Sequence, residues 1–235
     1  MGKYIVTDLT RFKEGKAEVC TALISEDSGQ CVRPIPYFTF EQMRKYGVIP
    51  GAVIEGDFTP AAIAGKPHRE DCSYGTLQLT GAVSASDFRA VLQRSISNSV
   101  KEGFGSDFDG IKLLPIETKA ERSIITVKVD PDCFKVEKDR FENYKVHFRD
   151  SSGVSYRYIP ITDLGFHQYL KGVDASSMNP VDEVNSHFKE SNEIYLRLGV
   201  SRAHQSQDGR NGYWMQVNGI YSFPDRLDKI RGYAP

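Results

Sequence analysis

The stretch that decides the fold reads Glu193-Ile194-Tyr195-Leu196-Arg197-Leu198-Gly199-Val200-Ser201-Arg202 and then, past a polar loop, Tyr213-Trp214-Met215-Gln216-Val217-Asn218-Gly219-Ile220-Tyr221-Ser222-Phe223. The loop carries Asp208-Gly209 and Asn211-Gly212, which are turn signals between two apolar-rich runs. Side chains along a strand alternate faces with period two. Ile194, Leu196, Leu198 and Val200 therefore share one face, and Met215 and Val217 match it from the second strand. Tyr195, Arg197 and Gly199 fall on the other face with Trp214, Gln216 and Asn218, and Arg202 stands near the strand end. This predicts an antiparallel hairpin with one apolar face in the core.

The second face has residue types suited to nucleic acid. Aromatic rings stack on bases for about 1–3 kcal/mol each. An arginine fork matches phosphate or guanine, and Gln and Asn amides offer donors and acceptors to base edges. Gly199 lets another group approach the backbone closely. The competing reading makes Trp214 a core anchor and pairs Arg197 and Arg202 with Glu193 and Asp208.

Working outward, Lys3–Thr10, Glu18–Ser25, Gln30–Ile35, Ala52–Thr59 and Thr76–Ser84 read as strands. Thr39-Phe40-Glu41-Gln42 is a capping box that opens a short helix to about Tyr46. Pro60–Tyr74 reads as a loop. Phe88, Val91, Leu92, Ile96 and Val100 recur at helical spacing behind Ser84 or Ser86 as cap. Gly103–Gly110 reads as a flexible loop or domain boundary. Arg122–Val129 is a strand, and Tyr144–Arg149 and Val154–Ile159 flank Asp150-Ser151-Ser152-Gly153 as a hairpin. A short helix follows Thr162, and Asn179-Pro180 opens another with Val181, Val184 and Phe188 as its stripe. The fold expected is mixed, mainly β with helices, and its strand-rich element order recurs in the second half, which suits two barrel-like units. The first spans 1–110 with inserted and trailing helices, and the second spans 111–235 with helices and the C-terminal hairpin.

The chain has 235 residues and a formal net charge of −1. A near-neutral whole gives no support to nucleic-acid binding, which needs only a local basic stripe. No apolar run approaches the roughly 18 residues of a membrane span, and the first residues lack signal-peptide architecture, so a cytoplasmic protein without a membrane partner is expected. Cys20, Cys31, Cys72 and Cys133 show no CxxC spacing, and His68 with Cys72 lacks a second ligand pair, so no metal and no other cofactor is expected.

The C-terminal string Leu196-Arg197-Leu198-Gly199-Val200-Ser201-Arg202…Tyr213–Pro224 resembles the signature of prokaryotic dual OB-fold-containing proteins. Tyr4-Ile5-Val6, Val32-Arg33-Pro34-Ile35 and Tyr156–Asp163 resemble other parts of that pattern. The chain departs from it at Cys31, where a large aromatic is expected. The resemblance implies two OB-like barrels, nucleic-acid binding and a setting in prokaryotic conflict or phage-defence systems, with no catalytic residues. It adds Arg33 to Tyr195, Arg197, Arg202, Trp214, Gln216 and Asn218 as candidate contacts. The partner expected is RNA or DNA, single-stranded in preference.

Two alternatives carry different chemistry. A protein-interaction scaffold suits the near-neutral charge, because OB barrels also bind proteins. A metal-dependent nuclease would use Glu117 and Lys119 with Asp107 or Asp109 to hold Mg²⁺ and a phosphate oxygen. Hydrolase, P-loop and dinucleotide signatures are missing from the sequence.

Overall fold

The structure, a computed structural model, describes every residue except 13–14, 66, 109, 118–119, 207 and 225–235. The first unit contains β1 (Gly2–Arg11), β2 (Glu18–Ser25), β3 (Cys31–Pro34), β4 (Phe38–Thr39), α1 (Phe40–Tyr46), β5 (Ala52–Gly56), β6 (Phe58–Pro60), β7 (Asp71–Tyr74) and β8 (Gln78–Ala82). Helices α2 (Ala85–Arg94) and α3 (Val100–Phe104) follow. The second unit contains β9 (Leu113–Pro115), β10 (Ile124–Val129), β11 (Phe134–Lys138), β12 (Tyr144–Arg149), β13 (Ser155–Pro160), α4 (Leu164–Ser176), α5 (Pro180–Lys189), β14 (Glu193–Val200), β15 (His204–Gln205) and β16 (Asn211–Phe223).

The first sheet runs β6-β7-β3-β2-β1-β5-β8. Only Asp57 separates β5 from β6, so the path curls until one bent chain segment serves both sides. The second unit curls the same way. Its β10-β14-β16 sheet passes into β11-β12-β13 through the one-turn helix Pro131–Cys133, and Ile161 bridges Val217 in parallel on the other side. The result is the mainly β chain with two barrel-like units and flanking helices that the strand-rich order of both halves and the family likeness led us to expect.

Local chemistry fixes the helices. Thr39 and Gln42 exchange the two bonds of the capping box, and Gly47 closes α1 in the left-handed conformation at φ 65°. Ser84 caps α2. The expected single helix through Val100 divides at Ser95, because Ser97 is drawn to the Thr126 carbonyl and Ser99 caps a new helix, α3. Two stretches expected to be loops carry more structure among their described residues. Pro60–Tyr74 contains β7, which pairs parallel with β3, and Gly103–Gly110 includes Phe104 and Phe108, both fully buried. Strand β11 was not expected at all.

Three cores result. Val6, Leu9, Val19, Leu23 and Ile54 fill the first barrel. Val127, Val146, Phe148, Leu196, Leu198 and Val217 belong to the second, which also takes in Val100, Phe104 and Phe108 from upstream of residue 110. The third lies between the units: Ile5 and Ile24 of the first barrel meet Phe88 and Leu92 of α2 and Tyr195, Tyr221 and Phe223 of the second.

Candidate functional site

The two arms of the C-terminal stretch pair antiparallel, with Leu198 opposite Val217 and Val200 opposite Met215, so the apolar face lies in the second core as its alternation requires. Over Tyr195, Arg197 and Tyr221 the other face is not on the surface. It is the wall against which the first barrel docks. Tyr195 is fully buried, and Tyr221 donates its hydroxyl proton to the Thr7 carbonyl of β1. Arg197, 1% exposed, donates from Nε to Asp8 Oδ1 at 3.0 Å and from Nη2 to Asp8 Oδ2 at 2.8 Å. Its Nη1 donates to Thr126 Oγ1 at 2.8 Å and its Nη2 also reaches Cys31 Sγ at 3.4 Å. Burial pulls this guanidinium down, yet Asp8 and Cys31 outweigh it and hold it above its ordinary value. Cys31, where the resemblance expects an aromatic, is thus an acceptor in the junction.

The remaining expected contacts divide. Asn218 is the unpaired residue of a bulge in β16, buried, with Oδ1 accepting from Thr162 Oγ1 at 3.1 Å. Gly199 leaves room for the Asn218 side chain, since a Cβ there would run into Nδ2. Arg33 is buried against Asp71, Nε to Oδ1 at 2.6 Å, and its Nη2 faces His68 Nδ1 at 3.0 Å. Arg202 reaches the other oxygen of Asp71 at 2.7 Å and the Tyr37 hydroxyl at 3.2 Å. Burial, with Arg33 and Arg202 beside it, lowers His68 to about 3, so its ring is neutral at neutral pH. Trp214 and Gln216 are half-buried, with Arg210 over the Trp214 ring at 5.1 Å and the His204 ring centred 5.8 Å from it. The geometry therefore corrects one reading: Tyr195 and Arg197 are junction residues and Asn218 is buried against Thr162 within the second unit, so they do not form an open platform with Trp214 and Gln216.

The free sheet surface is elsewhere. On β11, β12 and β13 the inward residues Phe134, Val136, Val146, Phe148, Tyr156 and Ile159 alternate with outward Lys135, Glu137, His147, Arg149 and Arg157. Register brings Lys135 opposite His147 and Arg149 opposite Ser155. One extra residue in β13 bulges opposite His147, and Tyr158 there takes φ 55°. An aromatic residue in the left-handed region costs about 1–3 kcal/mol, which the surrounding sheet must offset. Tyr158 is 43% exposed and its ring meets the His147 ring edge-on at 4.5 Å. Burial, with Lys135 and Arg157 beside it and against the pull of Glu137, keeps His147 below its ordinary value. Arg157 forms no ion pair with a described residue. The face thus combines an exposed ring, a neutral histidine and several cations against one acid. Its alternation was legible in Tyr144–Arg149 and Val154–Ile159, but the bulge that turns Tyr158 outward carried no sequence signal.

Of the nuclease set, Glu117 is exposed and Asp107 pairs with Lys101 at 2.5 Å, while Asp109 and Lys119 lie outside the described residues. No group of three or more His, Cys, Asp or Glu residues suited to a metal ion occurs among the described residues. No described helix is long and apolar enough to cross a membrane. No family model, curated protein or solved structure matches the chain.

Proposed function

We propose that the chain binds single-stranded nucleic acid, DNA or RNA, across the outer face of β11, β12 and β13. The observation that carries this reading is Tyr158. An exposed tyrosine is held in a strained backbone conformation on the outer strand β13 of a cationic sheet face, where a base can stack and Lys135, Arg149 and Arg157 can meet phosphates. Stacking tolerates any base, and neighbouring cations make affinity fall with salt.

Fluorescence anisotropy with labelled single- and double-stranded DNA and RNA at two salt concentrations tests it. Tyr158→Ala should weaken single-strand binding about 5- to 150-fold, the equivalent of one stacked base. Tyr158→Gly removes the ring and also relieves the left-handed backbone, so affinity should fall while folding stability holds or rises. Binding that is absent for all four probes, or unchanged in Tyr158→Ala and Arg157→Gln, would sink the proposal. The likeness to dual OB-fold proteins extends the reading to a cytoplasmic role in prokaryotic phage defence. Plaque counts on a host with and without the gene test that part, and equal counts across a phage panel would remove it.

A further inference from the structure

A cleft of about 380 Å³ opens where the two units meet. The turn Gly29–Cys31 of the first unit forms one wall, and Arg94–Ser97 with Arg122, Ile124 and Ile125 forms the other. Three exposed guanidinium groups line it: Arg69, Arg94 and Arg122. Arg69 has a partner in Glu121 at 3.3 Å, but Arg94 and Arg122 form no ion pair with a described residue. The acids nearby are already engaged. Glu70 accepts from the Ser123 and Ile124 backbone N–H groups and the Ser123 hydroxyl at 2.8–3.1 Å, and Asp8 is matched by Arg197 on the cleft floor. What remains is a concave site with two unpaired guanidiniums and the hydroxyl-bearing Ser95 and Ser97, on a protein with net charge −1.

The geometry points to a phosphate-binding cleft at the junction of the units, taking either a free polyphosphate or the backbone of a bound strand. Guanidinium forks bind phosphate oxygens through paired charge-assisted bonds, and a cleft of this size admits a nucleotide-sized anion. This goes beyond the sheet-face reading and shares with it only the phosphate chemistry. A ligand here would touch both units and would stabilise their docked arrangement by mass action.

The test uses the full chain, the double variant Arg94→Gln/Arg122→Gln, and a control with equal charge loss on α1, Arg44→Gln/Lys45→Gln. Inorganic tripolyphosphate should raise the melting temperature of the parent and the control by about 2 °C or more, and should leave the cleft variant unmoved. An oligo(dT) 20-mer is titrated across a salt series in parallel. If the strand supplies the phosphate, the cleft variant loses about 1.4 from the slope of log affinity against log salt, roughly 0.7 for each lost phosphate contact. An unchanged slope with tripolyphosphate stabilisation lost assigns the site to a free polyphosphate. Equal responses of parent and cleft variant to both probes overturn the inference, as does an equal loss in the control. Tyr158→Ala run alongside separates the two readings, because it alters strand binding and leaves the tripolyphosphate shift in place.

Discussion

Replacing Arg197 by alanine would leave Asp8 buried with its principal partner gone. The carboxylate is 1% exposed and accepts three contacts from the guanidinium at 2.8–3.1 Å, and Thr126 and Cys31 lose the same donor group. Breaking a buried pair from one side costs about 3–5 kcal/mol, because the surviving charge keeps its desolvation cost without its attraction. An exposed ligand-binding arginine would cost within about 0.5 kcal/mol of folding stability. Urea denaturation of parent and Arg197→Ala, with the midpoint and slope both fitted, separates the two. The companion variant Asp8→Leu/Arg197→Met removes both charges and should recover most of the loss, since apolar replacement of a whole buried pair is near neutral. An Arg197→Ala loss below about 1 kcal/mol would refute the claim that this arginine joins the units, and would return it to the candidate contacts.

Asp163 and His68 should impose opposite pH slopes on stability. Burial raises the Asp163 carboxyl to about 7 against the N–H groups of Phe166 and Ile220, so the folded state keeps a proton that the unfolded chain releases, and its stabilisation is full below about pH 4 and lost as pH rises through about 7. His68, lowered to about 3, does the reverse, its stabilisation being lost as pH falls from about 6.5 toward 3. Comparing urea midpoints of parent and Asp163→Asn at pH 4.5 and 7.5 isolates the first, and a stability difference that does not change between the two pH values contradicts it; the full excursion is on the order of 4 kcal/mol. Gly199→Ala should destabilise by about 1–3 kcal/mol through Asn218, with partial recovery in Gly199→Ala/Asn218→Ser, and a neutral single variant in thermal melts would show that the close approach is not tight.

The hairpin's pairing and its apolar face were legible because Ile194, Leu196, Leu198 and Val200 alternate without interruption. Alternation says which residues share a face, but it does not say whether the second face meets water or another layer. Tyr195 and Arg197 look like solvent residues only until their partner is found, and Asp8 stands 189 positions away in the sequence. The available hint was Asp8 itself, an acid inside the apolar run Tyr4–Leu9, since a buried acid calls for a buried base. Strand β7 escaped detection because Asp71-Cys72-Ser73-Tyr74 is four residues long with no Val, Ile or Leu and opens on a charge, its Asp71 being held by two arginines from elsewhere in the chain. The break between α2 and α3 was written in Ser95, Ser97 and Ser99, but a helical repeat of apolar residues that continues across it masks the signal.

The separation between Asp8 and Arg197 also orders events in time. On a ribosome β1 emerges well before β14, so Asp8 has no counter-ion while the 189 positions up to Arg197 are made. During that interval it sits on the outer side of β1 beside Ile5 and Ile24, the apolar residues that will later meet the second unit. A hydrated carboxylate in the middle of such a surface discourages pairing with another nascent chain, as gatekeeper charges do on aggregation-prone strands. The same group that anchors the finished junction therefore protects its unfinished half.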